Sequence, residues 1–249
     1  MESVWDNENL LKITGNIFNK ERKSEALCNE VYFLDCEKGK FIIKIACDKA
    51  RQEELKKEYE LICMLDYTKF VPKIELFFTV KNISCLLIQF IVGNKPTQFS
   101  DEILKIMASR LREIHGNNES QKQVDFDNLL NLAEKNMNEG RLDMDEFIIN
   151  GKFVQPQDLL TYLKTHKPIA KECLLHGDFR PKNMIINNKD LYIIDWGLSF
   201  YGDPYYDLAI IKYYFTDIEF EKFCSYYGLK NIDNERLKYN EYLSSFLNV

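Results

Sequence analysis

The chain has 249 residues, of which 45% are hydrophobic and 29% charged, and a formal net charge of −6 at pH 7. That length can bury a sizeable core in one large domain or two small lobes, and the acidic balance argues against a nucleic-acid partner, which calls for a basic surface. No run approaches the ~20 apolar residues of a membrane span, and the acidic start lacks the basic and apolar regions of a signal peptide, so a cytoplasmic chain without membrane attachment is expected.

Residues 1–22 mix polar positions with Leu10, Leu11, Ile13, Ile17 and Phe18, a pattern read as a short helix or irregular segment. Two strands follow at 29–34 and 41–47, with Gly39 supplying the positive φ of the loop between them. Leu55, Ile62 and Leu65 share one face of a helix over Lys49–Leu65. A second hairpin is predicted from Ile74–Val80 and 84–91. Gly93-Asn-Lys-Pro96 then breaks the pattern and marks a lobe boundary, giving lobes 1–92 and 93–249. Helices are predicted at 101–115, 125–138 and 157–165, with an acidic loop at 139–153 carrying Asp143, Asp145 and Glu146. Another opens at Asp203 as N-cap with Pro204 in its first turn, and further helical patterns fill 217–228 and 232–247. The cysteines at 28, 36, 47, 63, 85, 173 and 224 are odd in number and lack metal-site spacing, so they are expected to be reduced core residues. Strands first and helices later make an α+β chain, a small β-rich lobe followed by a larger, mainly α one.

The chemistry concentrates between Leu174 and Leu208. A polar loop, His176-Gly-Asp-Phe-Arg-Pro-Lys-Asn183, leads into two apolar runs separated by Asn187-Asn-Lys-Asp190, and the second run ends at Asp195-Trp-Gly197. The runs read as a hairpin. Pairing Ile186 with Tyr192 carries the register to Met184 with Ile194 and sets Asn183 opposite Asp195, where two oxygen ligands could share a Mg²⁺ ion. Asp178, outside the hairpin, is placed to accept a hydroxyl proton. A carboxylate five residues before an Asn, with another carboxylate beside that Asn, is the minimum apparatus for phosphoryl transfer from a metal-bound nucleotide.

This arrangement resembles the protein-kinase-like core, with H-G-D-x-x-x-x-N in place of H-R-D-x-x-x-x-N and Asp-Trp-Gly in place of Asp-Phe-Gly. Within that group it looks most like the aminoglycoside phosphotransferase and choline kinase family, on His176-Gly177-Asp178 and on Gly202-Asp203-Pro204 followed by Asp207-Leu208-Ala209. The resemblance implies a two-lobed protein-kinase-like fold and a strand lysine held by a helix glutamate. Lys44, on an otherwise apolar strand, is the expected lysine and Glu58 the preferred partner, with Glu54 the fallback. It also places an adenine near Gln89 and Ile91. The expected phosphate-covering stretch, 23–29, contains no glycine, which leaves Ser24 and backbone amides to serve. Arg180, two positions after Asp178, is expected to neutralise charge on the transferred phosphoryl group. His176 is expected to brace its loop, His115 to be a packed or capping residue and His166 a surface one. Asp207 either helps hold the loop or is favoured in the first helical turn by the dipole.

The implied function is a Mg²⁺-dependent small-molecule kinase using ATP or GTP. Its acceptor would be a hydroxylated, possibly cationic compound, an aminoglycoside or similar antibiotic. The alternative is a metabolic kinase of choline, a sugar or another small alcohol. The C-terminus, Ser244-Ser-Phe-Leu-Asn-Val249, lacks the acidic residues that help hold the amino sugar in the 3′-phosphotransferases. A protein kinase is disfavoured by the short stretch after Asp195, and a nucleotide-binding pseudokinase by the intact polar set. A monomer or weak dimer is expected.

Overall fold

The computed structural model describes residues 4–23, 30–116, 122–149, 151–188 and 190–248. Ser24, Cys28 and the predicted strand start at Asn29 lie outside them. In chain order the elements are α1 (Glu8–Thr14), β1 (Ile17–Lys23), β2 (Glu30–Cys36), β3 (Gly39–Ala46), α2 (Lys49–Leu65), β4 (Ile74–Val80), β5 (Ile83–Gln89), α3 (Asp101–Gly116) and α4 (Phe126–Asn138). There follow β6 (Ile148–Ile149), β7 (Lys152–Phe153), α5 (Pro156–Thr165), β8 (Cys173–Leu175), β9 (Met184–Asn187), β10 (Asp190–Ile193), β11 (Phe200–Gly202), α6 (Tyr205–Lys212), α7 (Asp217–Tyr227) and α8 (Asn234–Leu247). They divide into two units, Met1–Lys95 with Met184–Gly197, and Pro96–Asn183 with Leu198–Val249.

The first unit is built on an antiparallel sheet of order β1-β2-β3-β5-β4. Alternation along β3 sends Ile43 and Ile45 into one core with Leu34, Cys85 and Leu87. Ala46 goes to the opposite face, where α2 brings Leu55 against Leu86 and Ile88. Lys44 has the same parity as Ala46. Asp48 caps α2 by accepting from the Arg51 amide at 3.0 Å, and Leu55, Glu58, Ile62 and Leu65 fall on its buried stripe. Strand parity and helix spacing therefore aim Lys44 and Glu58 into the same layer.

The segment 1–22 differs from its sequence reading, since a strand follows the short helix. β1 is an exposed edge strand whose side chains are open to solvent from Phe18 onward, so no period-2 pattern marks it. Its backbone ladder with β2 forms it. The β9–β10 register is also one step away from the expected one. Ile186 pairs with Leu191, not Tyr192, and the ladder ends at Met184 with Ile193. Asn187 and Asp190 join the ladder because Asn188 adopts φ 55° and closes a tighter turn. Asn183 belongs instead to a 3-10 turn, Pro181–Asn183, so the ladder does not pair it with Asp195.

The second unit packs α4, α5, α6 and α8 around Leu160, Leu163, Phe147, Tyr206, Tyr239 and Phe246. The expected acidic loop contains a 3-10 turn, Met144–Phe147, and the short β6–β7 hairpin, with Asp143, Asp145 and Glu146 exposed. β8 and β11, a three-residue pair, bracket the polar loop. Helix α6 starts at Tyr205, and Asp203 accepts from its amide at 2.9 Å. Of the described cysteines, 36, 85, 173 and 224 are buried, whereas Cys47 and Cys63 are exposed, contrary to the core expectation. Cys47 lies just past the end of β3, and Cys63 faces outward on α2 beside buried Ile62. Among the described residues no helix is long and apolar enough to cross a membrane.

Candidate active site

In the first unit, Lys44 Nζ donates to both oxygens of Glu58, at 2.7 and 2.9 Å, and to Asp195 Oδ1 at 2.8 Å. Lys44 is 8% and Glu58 1% exposed. Burial pulls the Lys44 ammonium toward neutrality, but the Glu58 and Asp195 carboxylates outweigh it and hold its pKa above the ordinary lysine value. Glu58 Oε1 also accepts from the Trp196 amide at 3.3 Å, and Trp196 Nε1 is tied to the Ile193 carbonyl at 3.0 Å. The buried indole thus fixes the turn that presents Asp195. Asp195 takes φ 66°, a left-handed conformation that Asp tolerates better than most residues. Gly93 lies against the same hairpin, where a Cβ would come within 2.3 Å of the Ile186 carbonyl oxygen, and Asn94 exchanges two backbone hydrogen bonds with Ile186.

In the second unit, Asp207 holds the polar loop. It is fully buried; Oδ2 accepts from the His176 amide at 2.8 Å and Oδ1 from the Gly177 amide at 2.9 Å. Of the two sequence readings for Asp207, the loop-holding one describes its contacts. His176 Nδ1 accepts from the Asp178 amide at 3.2 Å, and Ser199 Oγ donates to the His176 carbonyl at 3.0 Å, so His176 braces the loop as expected. Asn183 Nδ2 donates to the Asp178 backbone oxygen at 2.9 Å and to Asp178 Oδ2 at 2.7 Å. Arg180 Nε pairs with Asp178 Oδ1, and Lys182 Nζ is 3.5 Å from Asp178 Oδ2. One buried carboxylate is thus ringed by an amide and two cations.

Gly177 makes this loop possible. It has φ 78°, and a Cβ there would stand 2.1 Å from the Leu198 carbonyl oxygen. Gly177→Ala is expected to destabilise the fold by at least about 2–3 kcal/mol, from left-handed strain and overpacking. Gly140→Ala, at φ 67° with nothing within 4 Å, is expected to cost no more than about 1–2 kcal/mol. Comparing denaturant midpoints of the two variants checks the difference.

The structure gathers Lys44, Glu58 and Asp195 in one unit and Asp178, Arg180 and Asn183 in the other. The Gln89 amide is committed to the Lys73 carbonyl at 2.9 Å, and Ile91 is buried just past β5. Glu54, the fallback partner for Lys44, is exposed. Two supporting contacts went unread in the sequence. Arg236 clamps Asp203 through Nε at 2.8 Å and a second nitrogen at 2.6 Å, and His115 bridges Asp207 and Tyr227. A histidine inside the apolar stripe of α3, next to buried Leu111 and Ile114, was the available signal for the second.

Residues 24–238 match the model of the APH phosphotransferase enzyme family. The chain belongs to that family. This phosphotransferase is 25% identical over 214 residues to an aminoglycoside 3′-phosphotransferase of Enterococcus faecalis, covering 77% of the chain and 78% of the relative. A 62-residue stretch is 36% identical to acyl-CoA dehydrogenase family member 11 of Rattus norvegicus; the match covers 23% of the chain but only 8% of that longer protein. Among solved structures, an aminoglycoside-3′-phosphotransferase of type VIII superposes with a TM-score of 0.75 at 19% identity, covering 91% of the chain and 93% of that one. The aminoglycoside phosphotransferase APH(3″)-Id from Streptomyces rimosus, in complex with ADP and streptomycin, gives 0.74 at 17% identity and 94% coverage of both chains. The phosphotransferase therefore has the protein-kinase-like α+β fold of these structures.

Proposed function

We propose that the phosphotransferase moves the γ-phosphoryl group of ATP to a hydroxyl of a small molecule, and that an aminoglycoside or a similar antibiotic is the acceptor. The observation that carries this reading is the buried Lys44 ammonium held by Glu58 and Asp195. Such a charge is costly to bury and is kept where it has an anion to meet. Lys44 would bind phosphate oxygens, with Glu58 holding it in place. The nucleotide base would lie by Gln89 and Ile91, and Ser24 would cover the phosphates. A relative solved with ADP supports ATP as the donor.

The donor set fits Mg²⁺. Asn183 spends its amide nitrogen on Asp178, which turns its side-chain oxygen away from that residue, and Asp195 keeps a side chain 56% exposed. Asn183 and Asp195 would hold the ion, which when bound neutralises phosphate charge. Asp178 would take the proton of the acceptor hydroxyl as the hydroxyl oxygen bonds to the γ-phosphorus and the bond from that phosphorus to the β-phosphate oxygen breaks, releasing ADP. Arg180, paired with Asp178 in the structure, would transfer that pairing to the phosphoryl group as its charge develops. The exposed Asp145 and Glu146 offer carboxylates to a cationic acceptor.

A metabolic kinase of a small alcohol is the second reading, because the Lys44, Glu58 and Asp195 set speaks to the phosphate donor and not to the acceptor. The test is ATP consumption, with GTP as a parallel donor, against aminoglycosides, choline and sugars. Aminoglycoside-dependent turnover that stops with EDTA is expected. Turnover with choline or a sugar alone would replace the antibiotic reading, and no acceptor-dependent turnover at all would sink both.

A further inference from the structure

We propose that His115 is a positioning residue for phosphoryl transfer, acting through Asp207 on the backbone of the His176-Gly177-Asp178 loop; the inference rests on the function proposed above. His115 is 5% exposed near the end of α3. Its Nε2 lies 3.1 Å from Asp207 Oδ2, and its Nδ1 lies 2.7 Å from the Tyr227 hydroxyl. Asp207, whose oxygens already accept from two loop amides, can only accept as a carboxylate, so Nε2 carries the proton and donates. Burial foremost pushes the Tyr227 phenol above its ordinary pKa and keeps it protonated, so its O–H is available to donate to Nδ1. Proton donation thus runs one way, from Tyr227 to His115 to Asp207.

The geometry gives this order a purpose. The His176 and Gly177 amides hold Asp207 from one side; the imidazole holds it from the other. Remove the ring, and a fully buried carboxylate loses a charge-assisted donor and gains room to rotate. Gly177 sits in a left-handed conformation against the Leu198 carbonyl, and Asp178 follows it directly. A displacement of about 1 Å in a reacting group is enough to lower turnover by about 100-fold. His115 touches neither nucleotide nor acceptor in this account, so its loss should act on kcat and spare ATP binding.

A cavity of about 400 Å³ supplies the means of testing this. His115 and Tyr227 line it together with Arg112, Cys173 and Pro204. Removing the ring in His115→Ala would open the vacated space to that cavity, giving free imidazole a route to the same two partners. In His115→Ala, kcat is expected to fall about 10- to 100-fold, with KM for ATP changed less than about twofold. Imidazole should restore kcat saturably. His115→Gln, whose side-chain amide can donate to Asp207, should recover most of the loss. Hydrogen exchange at the His176 and Gly177 amides should accelerate in His115→Ala and return toward wild type with imidazole, a readout that needs no acceptor. Should His115→Ala fail to fold, Tyr227→Phe keeps the ring and removes only the phenol donor; a smaller fall in kcat and faster exchange at the same amides are expected. Unchanged kcat and amide protection in a folded His115→Ala or Tyr227→Phe protein would overturn the proposal. So would a His115→Ala loss that neither glutamine nor imidazole reverses. If the wild-type protein turned over no acceptor, the proposed function would fail, and the exchange measurement would still decide the relay.

Discussion

Asp178→Asn is expected to lower kcat by roughly 10³-fold, within the ~10²–10⁴ range of a lost general base, while the Kd for ATP moves by less than about twofold. The substitution keeps the side chain's shape and leaves an oxygen that can accept from Asn183 Nδ2, so the turn from Asp178 to Asn183 should persist. What disappears is the negative charge that Arg180 and Lys182 surround. Lys182, with its side chain 57% exposed, can turn to water, whereas the buried Arg180 Nε would face the new amide NH2 group, so a stability cost of about 1–3 kcal/mol is expected. Single-turnover kinetics with the identified acceptor, alongside ATP titration calorimetry, separate the two effects. Retained turnover with unchanged binding would remove Asp178 from the role of base.

Lys44→Met should be the most damaging single substitution for stability and function together. Glu58 is 1% exposed and would lose its principal counter-ion, a change worth about 3–5 kcal/mol. Loss of the same cation should reduce kcat/KM for ATP by about 100-fold or more. The two consequences can be pulled apart with the double variant Lys44→Met, Glu58→Gln. Neutralising both partners should recover most of the stability, measured by denaturant unfolding, and none of the activity. Recovery of activity in the double variant would refute a phosphate-binding role for Lys44. The pH dependence has a definite sign. Because folding raises the Lys44 pKa, the stabilisation from its ammonium is fully present below the free lysine value of about 10.4 and fades only as pH rises through the folded value.

The elements best read from sequence were those with a buried face and a sharp boundary. Helix α2 and strand β4 match their predicted bounds because Asp48 caps one and apolar runs define the other. Strands β8 and β11 went unread because three residues are too short to display a period. The hairpin register depended on whether Asn188 would adopt a left-handed φ, a choice of turn that four polar residues in a row leave open. At the site, Lys44, Glu58, Asp178, Asn183 and Asp195 could be picked out by type and spacing. The bond from Lys44 to Asp195 joins residues far apart in the chain, and Asp207's hold on the loop amides depends on a contact of the same kind. Local pattern cannot reveal such bonds, because the fold alone decides which distant groups meet.

The allegiance of the Met184–Gly197 hairpin bears on how this protein can be dissected. Asp178 and Asp195 are near neighbours in the gene, yet the hairpin carrying Asp195 is part of the first unit while the Asp178 loop is part of the second. The first unit is therefore discontinuous. An expression fragment ending at Lys95 would retain Lys44 and Glu58 but lack the second carboxylate on that lysine, the Trp196 amide on Glu58 and the backbone partner of Asn94. A faithful minimal version of that unit needs the later segment grafted onto it, and a simple two-piece split of the gene would leave the first piece incomplete and the second carrying a hairpin that belongs to the first.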